Sequence, residues 1–329
     1  MQKTILRYLI LCIQKTSIMV GGQAVIEGVM MRVPGAYATA VRSPSGKIEI
    51  QHHKYTSLVD KLKLSNIIIL RGFIHLVDSM KIGVGTLDWS SQISEASEKP
   101  SNKFADFIMT VLSFVFAISL FMGIPYTITE FLPSYLPVDT NNHFLFNLIA
   151  GVSRIFIFLI YLYAISHLND VKRLFQYHGA EHKVVYNFES GQSINVKNAK
   201  EFSTKHPRCG TSFVFILMMV TILSYGIVDT LVSIIWQIEN LKILNRVAIH
   251  LICLPLVAGI GYEVLKFFAK HQKNTLFKVL SKPGLWLQNI TTSEPDNAQL
   301  EVSILALEAA FDKKMDQFQG KKFQADAIG

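Results

Sequence analysis

Residues 107–129 read FIMTVLSFVFAISLFMGIPYTIT, a run without one charged side chain. A helix needs about 20 apolar residues to cross roughly 30 Å of hydrocarbon, and this run is long enough. Three more stretches reach that length: about 144–166, interrupted by Arg154; about 213–236, interrupted by Asp229; and about 247–268, with His250 toward one end and Glu263 toward the other. The fold class follows: an α-helical integral membrane protein with about four transmembrane helices and a small α+β part made from the polar remainder. Composition agrees, since 50% of the 329 residues are hydrophobic and 17% are charged, against about a quarter charged in an ordinary soluble domain. Residues 67–87 are apolar too, but Arg71, His75, Asp78 and Lys81 interrupt them. That segment reads as an amphipathic helix on the membrane surface or in the core, not as a span.

The net charge of +8 comes without a basic-aromatic recognition motif, which argues against nucleic acid as a partner. Its distribution fits a membrane protein instead. Residues 125–143 hold Glu130 and Asp139 but no lysine or arginine, whereas 166–211 hold Lys172, Arg173, Lys183, Lys197, Lys200, Lys205 and Arg208. Lys270, Lys273, Lys278 and Lys282 follow the fourth span. The positive-inside rule therefore predicts that both termini and the central loop are cytoplasmic, in the inner membrane if the source is a bacterium. The domain reading is then an N-terminal extension (1–18), a cytoplasmic α+β segment (19–100), spans one and two (104–166), a cytoplasmic loop (167–211), spans three and four (212–268) and a cytoplasmic tail (269–329). Residues 1–18 have basic flanks around an apolar core too short to cross a bilayer. A surface anchor, a targeting extension and sequence upstream of a start at Met19 all remain open for them.

Within 19–100, residues 36–42 and 47–51 alternate around Ser43-Pro-Ser-Gly46, which reads as a β-hairpin. Residues 300–310 alternate weakly and then look helical. Arg154 and Asp229 lie at similar depths from the outer ends of their spans, and each alone costs about 2.5–3.5 kcal/mol in the membrane. The sequence predicts that they pair, as a structural ion pair or as part of a transport pathway. The three cysteines, Cys12, Cys209 and Cys253, have no CxxC spacing and no even count, so a disulfide framework or a thiolate zinc site is disfavoured. Cys253 reads as a packing residue, and only Cys209, in His206-Pro-Arg-Cys-Gly210, has polar company.

The strongest chemical signal is Tyr177-His-Gly-Ala-Glu-His-Lys183. On a helix, His178, Glu181 and His182 share a face, and H-x-x-E-H is the inverted zinc-protease order, with two histidine ligands and a glutamate base. Val171, Leu174, Phe175, Val185 and Phe188 recur at helical spacing, so the trio continues an apolar stripe and points inward, where polar groups need partners. The bland reading is a satisfied hydrogen-bond network without metal, and Gly179 weakens the helix by about 1 kcal/mol against alanine. A metal site needs a third ligand, for which His206, Cys209 and Glu263 are candidates. Each also has an ordinary reading, as surface residue, packing residue and interfacial charge. Gly21-Gly-Gln-Ala-Val-Ile-Glu-Gly28 has glycines suited to close backbone approach but lacks the lysine and hydroxyl of a P-loop. Glu27 and Arg32 read as substrate-binding residues or as an ion pair with each other.

These blocks, with Leu70-Arg-Gly72, His206-Pro-Arg-Cys-Gly-Thr-Ser212, Ala258-Gly-Ile-Gly-Tyr-Glu263, Pro283-Gly-Leu-Trp-Leu-Gln288 and Thr291-Thr-Ser-Glu-Pro295, resemble the family of domain of unknown function 1385 (DUF1385, YqhQ-like) over about residues 19–310. The resemblance implies a metal-dependent membrane protein without an assigned reaction or substrate. It also allows a cyanobacterial or plastid membrane. The functional expectation is a metal-dependent membrane enzyme, most naturally a hydrolase. His178 and His182 would be ligands to a divalent metal such as zinc, completed by His206, Cys209 or Glu263. Glu181 would be the general base, and Arg208 would hold an anionic substrate, one associated with the lipid bilayer. The alternative is a non-catalytic membrane scaffold or assembly factor that binds a protein partner through its cytoplasmic segments.

Overall fold

A computed structural model describes residues 20–95, 103–137, 142–238, 241–271, 274–312, 315–318 and 321. The expectations for residues 1–18, and for the last residues of the tail, lie outside these. The chain is mostly helical, with one small sheet near its start.

Strands β1 (Gly21–Val25), β2 (Gly28–Val33), β3 (Ala36–Arg42) and β4 (Ile48–Lys54) form an antiparallel meander in sequence order. The β3–β4 hairpin matches the alternation in the sequence, with Ala38 opposite His52 and Ala40 opposite Ile50. The β1–β2 hairpin was not foreseen; its turn places Glu27 at φ +53°, and Gly22 pairs with Met31. Val29, Met31 and Val33 of β2 and Ala38 and Ala40 of β3 face one core, while Met30 and Arg32 occupy the opposite face of the same strand. A strand covered on both faces loses the polar alternation that identifies a half-buried one.

Helix α1 (Ile68–Glu95) covers the Met30 face: Gln23 of β1 donates to the Gly83 carbonyl and Thr86 Oγ1, and the Ile26 amide donates to Ser90 Oγ. α2 (Lys103–Ile118) runs through a π-turn (Ser119–Gly123) into α3 (Ile124–Phe131). Then come α4 (His143–Ile165), α5 (Asn169–Ser190), α6 (Gly210–Trp236), α7 (Ile243–Lys270), α8 (Thr275–Thr291) and α9 (Asn297–Phe311). The other face of the sheet is closed by α5 and α9, whose Tyr177, Val184, Phe188, Leu300, Leu307 and Phe311 are buried with Val29 and Met31 in one core. α9 starts on a reciprocal cap, Asp296 accepting from the Gln299 amide while Gln299 accepts from the Asp296 amide. It is continuous helix where the sequence suggested a partly extended tail.

Four helical stretches among the described residues are long and apolar enough to cross a membrane: Phe107–Ser134, His143–Ile165, Val214–Trp236 and Ile243–Phe268. They correspond to the four runs read from the sequence. α1 is not among them, and it packs along α7 through glycines: a Cβ at Gly259 would lie 2.4 Å from the Ile69 carbonyl oxygen, and one at Gly72 would lie 2.9 Å from that of Gly259.

The expected Arg154–Asp229 pair is not formed. Asp229 is bonded to the Arg246 guanidinium, to His250 Nε2 at 2.7 Å and to Asn147 Nδ2 at 2.7 Å. The network continues from Arg246 to His143 Nδ1 at 3.0 Å, and from His250 Nδ1 to the Tyr126 hydroxyl. Arg154 instead donates to the Phe121 carbonyl at 2.6 Å, whose usual helical donor four residues on is Pro125, which has no N–H. Depth along a helix does not fix azimuth. Arg246, one residue outside the fourth apolar run, turns inward and reaches Asp229 first.

Candidate metal centre

α5 ends on Gly191 in the left-handed conformation, φ +74°, where glycine carries no Cβ penalty. Its buried stripe of Tyr177, Ala180, Val184, Val185 and Phe188 anchors it to the sheet core, as the periodicity indicates. His178 and His182, one turn apart, lie at the margin of that stripe. There they meet the loop before α6 and the C-terminal end of α8.

Each imidazole is oriented by a backbone carbonyl. His178 Nδ1 bonds the Thr291 oxygen at 2.8 Å, and His182 Nδ1 bonds the Thr204 oxygen. A carbonyl only accepts, so both rings carry their proton on Nδ1 and keep a lone pair on Nε2. His178 Nε2 lies 3.2 Å from Cys209 Sγ, and His182 Nε2 is buried without a hydrogen-bond partner. The ring centroids are 4.4 Å apart, and one donor atom from each of His178, His182 and Cys209 lies within 4.8 Å of the others. Tetrahedral zinc, with bonds of about 2.0–2.3 Å, sets neighbouring ligand atoms roughly 3.3–3.7 Å apart. The three donors need a modest contraction to reach that spacing.

Glu181 points the other way, into the sheet. Gly22 N–H donates to its carboxylate, and a Cβ at Gly22 would come within 3.2 Å of Glu181 Cγ. This is the close approach that the glycine-rich segment suggested. Burial pushes the Glu181 carboxyl above its ordinary range, offset in part by neighbouring His178 and by the Gly22 amide.

The remaining candidates sit in other contacts. His206 lies behind His182, with ring centroids 5.6 Å apart. Its Nδ1 receives the Arg208 amide at 3.3 Å and its Nε2 lies 3.2 Å from Arg208 Nη2, so it does not join the converging donors. Burial holds its imidazole below the usual range. Arg208 pairs with Glu189, which removes it from the role of anion holder. Glu263 is gripped in two places by Arg71, at 2.6 Å each, and is not in the cluster. Glu27 pairs with Arg173 rather than with Arg32. Arg32 stacks over the Tyr55 ring, its Cζ 4.2 Å from the centroid.

Sequence reasoning missed the groups that hold the site in place. The Thr291 and Thr204 carbonyls are backbone and carry no side-chain signal. Gln288 brackets the His206 backbone, accepting from its amide at 2.8 Å and donating to its carbonyl at 2.9 Å, and so pins the Cys209 loop to α8.

Fold and site together define a helical protein with four membrane-length apolar helices and a compact head that brings two histidines and a cysteine together. The profile of the family described as "Protein of unknown function (DUF1385)" matches residues 67–313, and the chain belongs to that family. It is similar to the uncharacterised protein YqhQ of Bacillus subtilis (strain 168), 33% identical over 303 residues that cover 86% of this chain and 89% of that protein. No solved structure matches it.

Proposed function

We propose that this chain is a metal-dependent membrane enzyme of hydrolytic type, with its site on the cytoplasmic side and both termini there, in a bacterial inner membrane or its cyanobacterial or plastid counterpart. The observation that carries the metal is the buried Nε2 of His182. An unpartnered imidazole nitrogen in a protein interior is costly, and a metal ligand is the role its geometry fits. The carbonyl bonds to both Nδ1 atoms are the outer-shell partners that metal-bound histidines usually have. Two neutral imidazoles and a thiolate are a donor set suited to zinc, with the fourth position left for substrate. Zinc there would supply Lewis acidity toward a carbonyl or phosphoryl oxygen.

The chain's own residues supply the rest. His178, His182 and Cys209 would hold the centre, and Glu181, turned away from it toward Gly22 of the sheet, is not placed to act as its base. Membrane placement rests on exposed apolar side chains along the four long helices, such as Phe114 at 65%, Ile160 at 67% and Ile252 at 78%. A surface of that kind belongs in lipid rather than water, so the substrate is taken to be membrane-associated. The test is elemental analysis of the detergent-purified protein beside a His178→Ala/His182→Ala variant. Stoichiometric zinc in the first and none in the second supports the reading. Equal metal content in both, or failure of the metal-free protein to bind added zinc, sinks it.

A further inference from the structure

α1 starts alongside the membrane-length stretch of α7 rather than beyond it. Ile69 and Gly72 lie against Gly259, the His75 ring stacks on Tyr262 at 5.2 Å, and Arg71 grips Glu263. These contacts advance together along both chains, so α1 and α7 run in the same direction. At 1.5 Å per residue, Gly259 is about 14 Å from Phe268, where the apolar stretch ends. That stretch of 26 residues is about 39 Å long, roughly 9 Å more than the hydrocarbon is thick. With α7 spanning a bilayer, the first turn of α1 beside Gly259 lies about 5–14 Å inside the hydrocarbon boundary, according to the end at which the excess falls.

The residues there suit lipid. Ile67, Ile68, Ile69 and Leu70 are consecutive and each at least 40% exposed. Leu76, Val77, Met80, Val84 and Leu87 continue as an exposed apolar stripe, which at 100° per residue fills a sector of about 100°, the width of an amphipathic face. Glu263 is neutralised by its two contacts with Arg71, as a charge at membrane depth requires. The turn ahead of α1 satisfies its own backbone, the Leu62, Lys63, Leu64 and Ile67 amides donating to the Leu58, Asp60, Val59 and Leu64 carbonyls; irregular chain close to hydrocarbon needs such bonds. Lys61 and Lys63, both exposed, flank exposed Leu62, which puts basic side chains among headgroups and an apolar one below them. We propose that residues 61–87 are a lipid-binding element. Its tip, Leu62 and Ile67–Leu70, enters the acyl boundary of the leaflet on the side of the sheet, and the stripe from Leu76 to Leu87 rests on that leaflet, phospholipid being the occupant of both. The inference rests on the membrane placement proposed above and not on the metal.

The experiment places the photo-crosslinker p-benzoylphenylalanine, one site at a time, at positions 68, 84, 252 and 47 of the full chain. Each protein is reconstituted in vesicles of phosphatidylcholine and phosphatidylglycerol, and adducts are identified by mass and by gel. Ile68 and Val84 are exposed, at 56% and 65%, so the replacement disturbs no packing. Ile252 on α7 reports the membrane placement itself, and Lys47, in the β3–β4 hairpin with its side chain 72% exposed, reports water. The expected result is lipid adducts at positions 68 and 84, as at 252, and none at 47. Lipid at 252 but none at 68, or none at 84, overturns this inference and leaves the membrane placement standing. Lipid at none of the sites overturns both. Chain-to-chain adducts at 68 or 84 in place of lipid assign the face to a second copy and overturn the proposal as well.

Discussion

Gly179 lies between His178 and Glu181, and its missing side chain sets the spacing of the site. A Cβ built there would fall 2.1 Å from the Ser293 carbonyl oxygen, a backbone atom that cannot swing aside. Ordinary contact begins near 3.4 Å, so Gly179→Ala must push α5 and the 291–294 segment apart by about 3.4 − 2.1 = 1.3 Å. That segment is held by the Ser293 amide on the Phe175 carbonyl at 2.9 Å and by the Thr291 oxygen on His178 Nδ1 at 2.8 Å. Adding 1.3 Å to the second distance takes it beyond hydrogen-bond range. Overpacking costs about 1–3 kcal/mol, and the better helix propensity of alanine returns about 1 kcal/mol, so the net loss of stability is modest. Metal affinity should suffer more, because losing an outer-shell partner of a histidine ligand typically costs about 10–100-fold. Zinc affinity is measured by competition with a chelator, and stability by thermal unfolding of the metal-free protein. If Gly179→Ala keeps wild-type zinc affinity, the Thr291 carbonyl does not orient His178 for a metal.

The buried network among α3, α4, α6 and α7 makes a second prediction. In a double-mutant cycle Asp229 and Arg246 couple by more than about 1 kcal/mol, whereas Asp229 and Arg154 couple by less than about 0.5 kcal/mol. Asp229→Asn alone, which leaves Arg246 buried opposite a neutral group, costs about 3–5 kcal/mol in detergent unfolding; equal coupling of Asp229 to both arginines would contradict the pairing described. A third concerns acid. His75 is held below the usual imidazole range, first by burial and then by Lys266 and Arg32, with Asp60 and Asp78 pulling the other way. The stability that neutral His75 contributes is therefore present above its unfolded pKa of about 6.5 and is lost as pH falls through the lower folded value. The unfolding temperature of the wild type should drop over that window by more than that of His75→Gln, measured in phosphate-free buffer, and parallel curves would refute it.

The apolar helices were legible because twenty-residue uncharged runs have few other uses, and the β3–β4 hairpin because its alternation flanks a Ser-Pro-Ser-Gly turn. The β1–β2 hairpin was hidden. Gly21 and Gly22 weaken the strand signal, and Gly28-Val-Met-Met-Arg-Val33 is covered on both faces and so lacks a clear period. α8 was obscured by Pro283 and Gly284 in its interior, both poor helix residues. At the site, His178, His182 and Cys209 were all named in advance, since residue type and helical spacing carry that information. That Glu263 faces another partner was not readable, because Arg71 reaches it only through the tertiary fold, and that His206 turns toward Arg208 two residues on depends on a loop course that residue identity does not specify. The carbonyls that orient the imidazoles come from segments far apart in the chain and leave no trace in residue identity.

The way α9 closes the sheet has a consequence for biosynthesis. Arg42 at the end of β3 bonds Glu301 of α9, 259 residues further on. At the usual 5–20 residues per second of translation, the sheet emerges roughly 13–50 s before the helix that covers it. For that interval the nascent strands must stay soluble while the long apolar helices are being placed. β4, at one edge of the sheet, carries Glu49, His52, His53 and Lys54 and little exposed hydrophobic surface beyond Ile50, a composition that discourages pairing with other chains. Thr291 is made after the four apolar helices as well, so His178 gains its orienting carbonyl only once α8 has been synthesised. A ribosome stalled before α8 would therefore hold a chain with its apolar helices made and its site still unformed.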